Sequence, residues 1–267
     1  MKKIFTFFGA AALAMSMQAA VIDTIQVDGL YYQLSDDQTA TLIRLSTSSK
    51  YEIEDIVIPV SVSKDEVAYP VVALGQGALR NTTANTITFA EGSQVSAIGM
   101  QAFQGAVNVQ ELELPEGIKI IPTTAIHNAT ASAPMTLKKL ILPSTVDSLC
   151  LMAFALPQLD TLVFKGSVPP SIATKVTATW TQNPWQISTT HANNTATTAK
   201  VIVPKGALEA YQNTAWIGDY FTSIVEAEED HTGVETIYSE NDKAVKLIIN
   251  GQLYIRHNGR IYNVLGY

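Results

Sequence analysis

The chain has 267 residues, a formal net charge of −7 and only 15% charged residues. An acidic chain without a cluster of lysines and arginines is a poor match for phosphate backbones, so we exclude nucleic acid as a partner. The only cysteine is Cys150, which excludes an intramolecular disulfide and a cysteine-based zinc cluster. The length is sufficient for one long repeat domain or for two modest domains.

Residues 1–20 have the pattern of a secretory signal peptide. Two lysines precede an apolar run over residues 4–15, and small residues follow up to Ala20. The run is too short to span a bilayer, and no later segment is long and apolar enough to do so, so we expect no transmembrane segment in the mature chain. We therefore predict an exported protein, either extracellular or on the outer-membrane surface, with the periplasm as the alternative.

Residues 21–53 alternate apolar and polar side chains on both sides of an acidic turn at Ser35-Asp36-Asp37-Gln38. This pattern is typical of a β-hairpin. We predict an N-terminal cap of antiparallel strands.

Residues 54–226 repeat two short motifs. The first is an apolar strand, closed by proline in three of its four copies: Ile56-Val57-Ile58-Pro59, Ile87-Thr88-Phe89, Leu112-Glu113-Leu114-Pro115 and Leu140-Ile141-Leu142-Pro143. The second is a turn with an alanine before a large apolar residue: Leu74-Gly75-x-x-Ala78-Leu79, Ile98-Gly99-x-x-Ala102-Phe103, Ile121-Pro122-x-x-Ala125-Ile126 and Leu149-Cys150-x-x-Ala153-Phe154. The alanines lie 24, 23 and 28 residues apart. Self-similarity at such a period predicts stacked units that bury their apolar faces against one another.

The repeat predicts a mainly β solenoid with short parallel strands and short helical turns. An antiparallel sandwich is the alternative, since its strands also recur regularly, about every 8–12 residues. The repeat here combines a strand, a glycine turn and an alanine-aromatic turn at about twice that spacing, which favours the solenoid.

The pattern L-x-L-P followed by I-G-x-x-A-F resembles the BspA-like leucine-rich repeat proteins, which are common on the surface of Bacteroides-type bacteria. The best copies are residues 86–105 and 137–156, and the resemblance extends over 54–226. Residues 199–216 are similar to the last unit of that family, and residues 207–213 can form a short helix that covers the open end of the stack. The resemblance implies a leucine-rich-repeat solenoid and a role in adhesion.

The remaining segments do not follow the repeat. Residues 173–199 form a loop insertion with Trp180 and Trp185, which either pack as anchors or form a recognition patch for a sugar or a protein.

Residues 227–233 are rich in charge and poor in apolar side chains, which predicts a linker. Residues 234–267 contain two Asn-Gly turns, which predict a tail of β-hairpins. The tail is similar to surface-sorting modules of exported Bacteroidetes proteins, and a β-meander without a sorting role is the alternative.

We find no motif for catalysis, for a metal or for a cofactor, and we predict no catalytic, cofactor-binding or metal-binding residue. We therefore expect a protein that is not an enzyme but a binding or adhesion module for a protein or another macromolecule on a host or bacterial surface. Thr88 and Glu113 are candidate binding residues, because they face solvent from predicted strands. The alternative is a carbohydrate-binding surface protein that uses Trp180 and Trp185, with a glycan as the partner.

Overall fold

The computed structural model describes residues 19–44, 46, 49–127, 134–173, 183–186 and 194–228, and three strands at 244–249, 252–257 and 260–263. Most of the predicted signal peptide and of the linker, and Trp180, lie outside these residues. In the part of the chain that is described, no helix is long and apolar enough to cross a membrane.

The N-terminal strands β1 (Val21–Val27), β2 (Leu30–Ser35) and β3 (Ala40–Ile43) form an antiparallel meander. Alternation determines the buried face, and the apolar residues of β2 that point inward are at most 3% exposed. The predicted antiparallel cap is therefore confirmed. Its third strand also pairs in parallel with a strand of the repeat region, so the cap is continuous with the solenoid.

The repeat region coils through three columns, and the first is a parallel sheet that we call the front sheet. Its strands are β4 (Asp55–Ile58), β7 (Thr86–Phe89), β9 (Glu111–Glu113), β11 (Lys139–Leu142), β13 (Thr161–Phe164), β15 (Lys200–Val203) and β16 (Ser223–Glu226). Successive strands pair in parallel, except that β7 does not pair with β9. The front sheet therefore consists of a two-stranded and a five-stranded part.

The second column contains β6 (Val67–Leu74), β8 (Ala97–Ile98), β10 (Ile120–Ile121), β12 (Ser148–Leu149) and β14 (Ser171–Ile172). Strand β3 of the cap precedes β6 in this column. The first coil also carries β5 (Ser61–Lys64), which forms a hairpin with β6. Its turn at Asp65 and Glu66 has positive φ angles of 49° and 66°.

The third column is formed by the four alanine turns, at residues 75–79, 99–103, 122–126 and 150–154, and we call it the turn column. Each alanine and the apolar residue after it is fully buried. The backbone continues from coil to coil, because the Leu79 N–H donates to the Ala102 carbonyl at 2.8 Å and the Phe103 N–H to the Ala125 carbonyl at 2.9 Å. These observations confirm the predicted mainly β solenoid and the interior position of its alanine turns.

The C-terminal end of the stack carries two short helices, α1 (Leu208–Gln212) and α2 (Ala215–Gly218). Helix α1 confirms the short helix predicted within 207–213. Tyr211 of α1 is fully buried, and its hydroxyl donates to the Gly166 carbonyl at 2.8 Å. The helix thus covers the last coils with a side chain that is both packed and hydrogen-bonded.

The tail strands β17 (Ala244–Ile249), β18 (Gln252–His257) and β19 (Arg260–Asn263) form an antiparallel sheet. Ile249 is in register with Gln252, and His257 with Arg260. The predicted hairpins of the tail are therefore confirmed at the level of strand pairing.

Candidate functional site

The front sheet presents two rows of side chains on its outward face, because alternate residues of a strand point to the same side. The first row is Asp55, Thr86, Glu111, Lys139, Thr161, Lys200 and Ser223. The second row is Val57, Thr88, Glu113, Ile141, Val163, Ile202 and Val225. The first row is polar throughout, whereas the second becomes apolar after Glu113.

A cleft of about 640 Å³ opens on this face where β7 and β9 fail to pair. One wall carries Thr86 and Thr88 from β7, and the other carries Glu111 and Glu113 from β9. Its remaining lining is Ile87, Phe89, Ala90, Gly92, Ser93, Leu114, Pro115, Glu116 and Lys165. The interruption of the parallel ladder thus coincides with a concave site between the second and third strands of the front sheet.

The carboxylates of the cleft are held by partners from neighbouring coils. The Lys139 ammonium lies 2.7 Å from Glu111, and the Lys165 ammonium donates to Glu113 from two strands away. Strand β11 lies between β9 and β13, so the Lys165 side chain must cross β11 to reach Glu113. Ile141, the β11 residue in register with Glu113, is only 8% exposed. These ion pairs are partly exposed, so each contributes little to stability, but together they fix the rim of the cleft.

Glu116 is the most strongly organised carboxylate of the cleft. Burial opposes its ionisation, but hydrogen bonds from the Ser144 N–H at 3.1 Å and the Ser144 hydroxyl at 2.8 Å outweigh that effect, with support from the Thr145 N–H and the charge of Lys165. The pKa of Glu116 is therefore lowered. The carboxylate is ionised at neutral pH and acts as a fixed acceptor.

The structure brings the predicted binding residues Thr88 and Glu113 together on opposite walls of one cleft. Both are exposed. Sequence reasoning predicted their solvent exposure but not the cleft, since nothing in the residue pattern showed that β7 and β9 would not pair. Their part in binding stays a prediction.

Trp185 packs as an anchor, which is the first of the two alternatives predicted for it, and its placing in an exposed glycan site is wrong. Its side chain is fully buried, its ring stacks on Phe154 at 4.8 Å, and its Nε1–H donates to the Trp216 carbonyl at 3.0 Å. The Phe154 N–H donates to the Pro184 carbonyl at 3.0 Å. This bond repeats the one between the two preceding turns, in which the Ile126 N–H donates to the Ala153 carbonyl at 3.0 Å. Trp185 therefore occupies the next position of the turn column and offers no ring face to a saccharide. Trp180 lies outside the described residues.

These features define a mainly β solenoid of stacked coils with a cleft on its parallel sheet. Among solved structures, a leucine-rich repeat protein from Bacteroides capillosus is 28% identical, covers 54% of this chain and 99% of its own, and has a TM-score of 0.42. A leucine rich cell surface protein from Faecalibacterium prausnitzii is 15% identical over 91% of this chain, with a TM-score of 0.29, and the match spans 61% of that protein. The pneumococcal vaccine antigen PcpA is 11% identical, covers 78% of this chain and 99% of its own, and has a TM-score of 0.22.

No family model matches the chain, and no curated protein matches it. Within the described residues, no three histidine, cysteine, aspartate or glutamate side chains lie together in a way that could hold a metal ion.

Proposed function

We propose that the chain is an exported, cell-surface leucine-rich repeat protein of the BspA-like type and that it acts as a non-enzymatic binding module for a protein partner. Export is supported by the signal-peptide pattern of residues 1–20, and the BspA-like type by the paired strand and turn motifs. The observation that carries the binding role is the cleft on the front sheet, where Thr88 faces Glu113.

The cleft suits a protein partner because it combines polar groups at its rim with apolar groups in its floor. Thr86 and Thr88 contribute hydroxyls, Glu113 contributes a carboxylate, and Phe89 and Leu114 contribute apolar area. Beyond the cleft, the second row continues as half-buried Val163, Ile202 and Val225. Interfaces of this kind place an apolar centre inside a polar rim.

The scaffold also favours binding because the site is formed before the partner arrives. The side chains on both walls project from strands whose opposite faces are buried, with Ile87 at 3% exposed and Leu112 at 1%. Little conformational entropy is therefore lost when a partner docks, and less of the interaction energy is spent on ordering the site.

The location is tested by protease treatment of intact cells. We expect the chain to be degraded by external protease while a periplasmic marker protein stays intact. Survival of the chain on intact cells, with loss only after the outer membrane is opened, would contradict the surface location.

The binding role is tested with the immobilised mature chain and biotin-labelled surface proteins from bacterial and host cells. Thr88→Arg places a long charged side chain in the cleft, so we expect at least a tenfold loss of captured protein. Thr24→Arg is the matched control, because Thr24 is an exposed strand residue of β1 and is not part of the cleft. Equal capture by the wild type and by Thr88→Arg would refute the role of the cleft.

A further inference from the structure

The two arginines of the cap and repeat region both approach Gly77, although the sequence separates them by 36 positions. Arg44 follows β3, and Arg80 follows the first alanine turn. The Arg44 guanidinium carbon and the Arg80 Cβ each lie 3.6 Å from the point where a Cβ on Gly77 would stand. The only other arginines of the sequence are Arg256 and Arg260, in the tail.

The pair lacks the partners that usually neutralise arginine. In the described part of the chain, the ion pairs all involve lysine, and neither Arg44 nor Arg80 takes part in one. Burial lowers the pKa of Arg44, and the positive charge of Arg80 lowers it further. Two like charges are thus held together in a chain that has 24 acidic residues against 17 basic ones.

Arg80 also has unmet hydrogen-bonding capacity. Its Nε–H is buried and has no hydrogen-bond partner, and its Nη1 makes one long contact of 3.4 Å to the Gln101 side-chain oxygen. A buried donor without a partner is costly, and the edge of a guanidinium that includes Nε is suited to bind two oxygens of one anion.

The Arg44 side chain lies between the glycine of the first alanine turn and a cavity in the cap. Gly77 has a φ angle of 62°, and the same position of the next three turns carries a side chain, in Gln101, Thr124 and Met152. On its other side, Arg44 lines a cavity of about 310 Å³ within the cap, together with Lys50, Tyr51 and Glu52, of which Lys50 and Glu52 form an ion pair at 2.8 Å. The absence of a side chain at Gly77 allows Arg44 to lie across the turn beside Arg80.

We propose that Arg44 and Arg80 form a binding site for an oxyanion, which is either a carboxylate or a tetrahedral sulfate or phosphate group of a larger ligand. The anion accepts hydrogen bonds from the Arg44 guanidinium and, after a small rotation of the Arg80 side chain, from the Arg80 Nε–H. It neutralises two adjacent positive charges and pairs the buried donor. The site lies at the junction of the cap and the first coil and is separate from the cleft on the front sheet.

The test is an NMR titration of the arginine Nε–H signals with sodium sulfate, sodium phosphate and sodium acetate at constant ionic strength. We expect saturating shifts for Arg44 and Arg80 with a dissociation constant of about 1–20 mM. Arg256 and Arg260 serve as internal references for non-specific effects, and Arg44→Lys and Arg80→Lys assign the signals. Saturation with acetate indicates a carboxylate ligand, and saturation with sulfate or phosphate indicates a tetrahedral one.

Two results would overturn the site. The first is a linear shift of all four signals, and the second is no shift of Arg44 and Arg80 with any of the three anions. As a second measurement, the Arg44 signal is titrated in Arg80→Gln. We expect the dissociation constant of the anion to rise at least tenfold, while the circular dichroism spectrum stays that of the wild type. An unchanged titration of Arg44 in that variant would also contradict the proposal.

Discussion

The two ends of the stack are closed in different ways. At the N-terminal end the backbone ladder continues into the cap, since β3 pairs with β6 and the Gly75 N–H donates to the Leu42 carbonyl at 2.8 Å. At the C-terminal end large side chains cover the last coils instead. The comparison shows that a parallel ladder can be ended either by joining an antiparallel sheet or by covering its core with aromatic rings.

At the C-terminal end, the stabilising effect of the aromatic rings depends on how they are arranged as well as on the area they bury. Trp185 stacks on Phe154 with an interplanar angle of 17°, and it meets Phe221 edge to face at 5.1 Å. Tyr211 lies 5.0 Å from Phe164. Such pairs contribute about 0.5–1.5 kcal/mol each beyond their area burial. The C-terminal end should therefore be more sensitive to the loss of one ring than the N-terminal end is to the loss of one aliphatic side chain.

The largest expected effect tests this difference directly. Trp185→Ala should lower the free energy of unfolding by about 3–5 kcal/mol, because it leaves a cavity beside Phe154 and Phe221. Leu42→Ala, in the cap, should cost about 2–3 kcal/mol, at the lower end of the range for such truncations. Urea unfolding measures both. A smaller loss for Trp185→Ala than for Leu42→Ala would contradict the comparison.

The second prediction concerns how closely the first coils approach each other. A Cβ at Gly99 would lie 2.6 Å from the Gln76 backbone nitrogen, so Gly99→Ala forces the backbone apart. We expect a loss of about 1–3 kcal/mol in the free energy of unfolding.

Cys150→Ala is the matched control, since Cys150 holds the same motif position near the other end and already carries a side chain. It should cost less than about 1 kcal/mol, because the residue is only partly buried. Equal losses for the two variants would show that the coils are spaced alike at both positions.

The third prediction compares one buried tyrosine hydroxyl at each end. In the cap, the Tyr51 hydroxyl donates to the Ile43 carbonyl and accepts from the Tyr31 N–H at 3.0 Å, whereas Tyr211 only donates. Tyr51→Phe should cost about 1–3 kcal/mol, because it removes both a donor and an acceptor from backbone groups. Tyr211→Phe should cost about 1 kcal/mol, because it removes only one proton, which the Gly166 carbonyl accepts at 2.8 Å and the Val168 carbonyl at 3.4 Å. Thermal unfolding of the two variants measures the difference, and a larger effect for Tyr211→Phe would reverse the expected order.

The smallest effect is a pH dependence at the cleft. Because the pKa of Glu116 is lower in the folded chain than in the unfolded chain, its contribution is present above the unfolded pKa and is lost as the pH falls through the folded pKa. Glu116→Gln should therefore cost more at pH 7 than at pH 3, by less than about 1 kcal/mol, since the residue is exposed. Urea unfolding at both pH values, with Ser144→Ala as the partner variant, measures this. A cost that is the same at both pH values would contradict the ionised role of Glu116.

The repeat could be predicted from the sequence because its signals are local and redundant. The alanine turns recur with the same order of small and large residues, and the positions that the motif predicted to be interior are buried, as Ala102 and Phe103 illustrate. The hairpin of β5 and β6 was not predicted, although its signal is also local, since residues 61–64 and 67–74 flank an Asp-Glu turn.

Other features depend on contacts that the sequence does not encode locally. Trp185 follows a proline rather than an alanine, so its place in the turn column became visible only through the hydrogen bond from Phe154 to Pro184. The cleft arises from the spacing between β7 and β9, although both strands carry the same alternating motif. The meeting of Arg44 with Arg80 is likewise a result of the fold.

The ladder bonds of the front sheet join each strand only to the strands on either side of it, from β9 through β16. An insertion or a deletion of one whole coil between β9 and β16 therefore preserves the parallel pairing of the front sheet and changes only its length. A partial coil would instead leave an alanine turn without a strand to follow it. Lineages of this protein are thus expected to differ by complete units gained or lost through duplication, with both end structures retained.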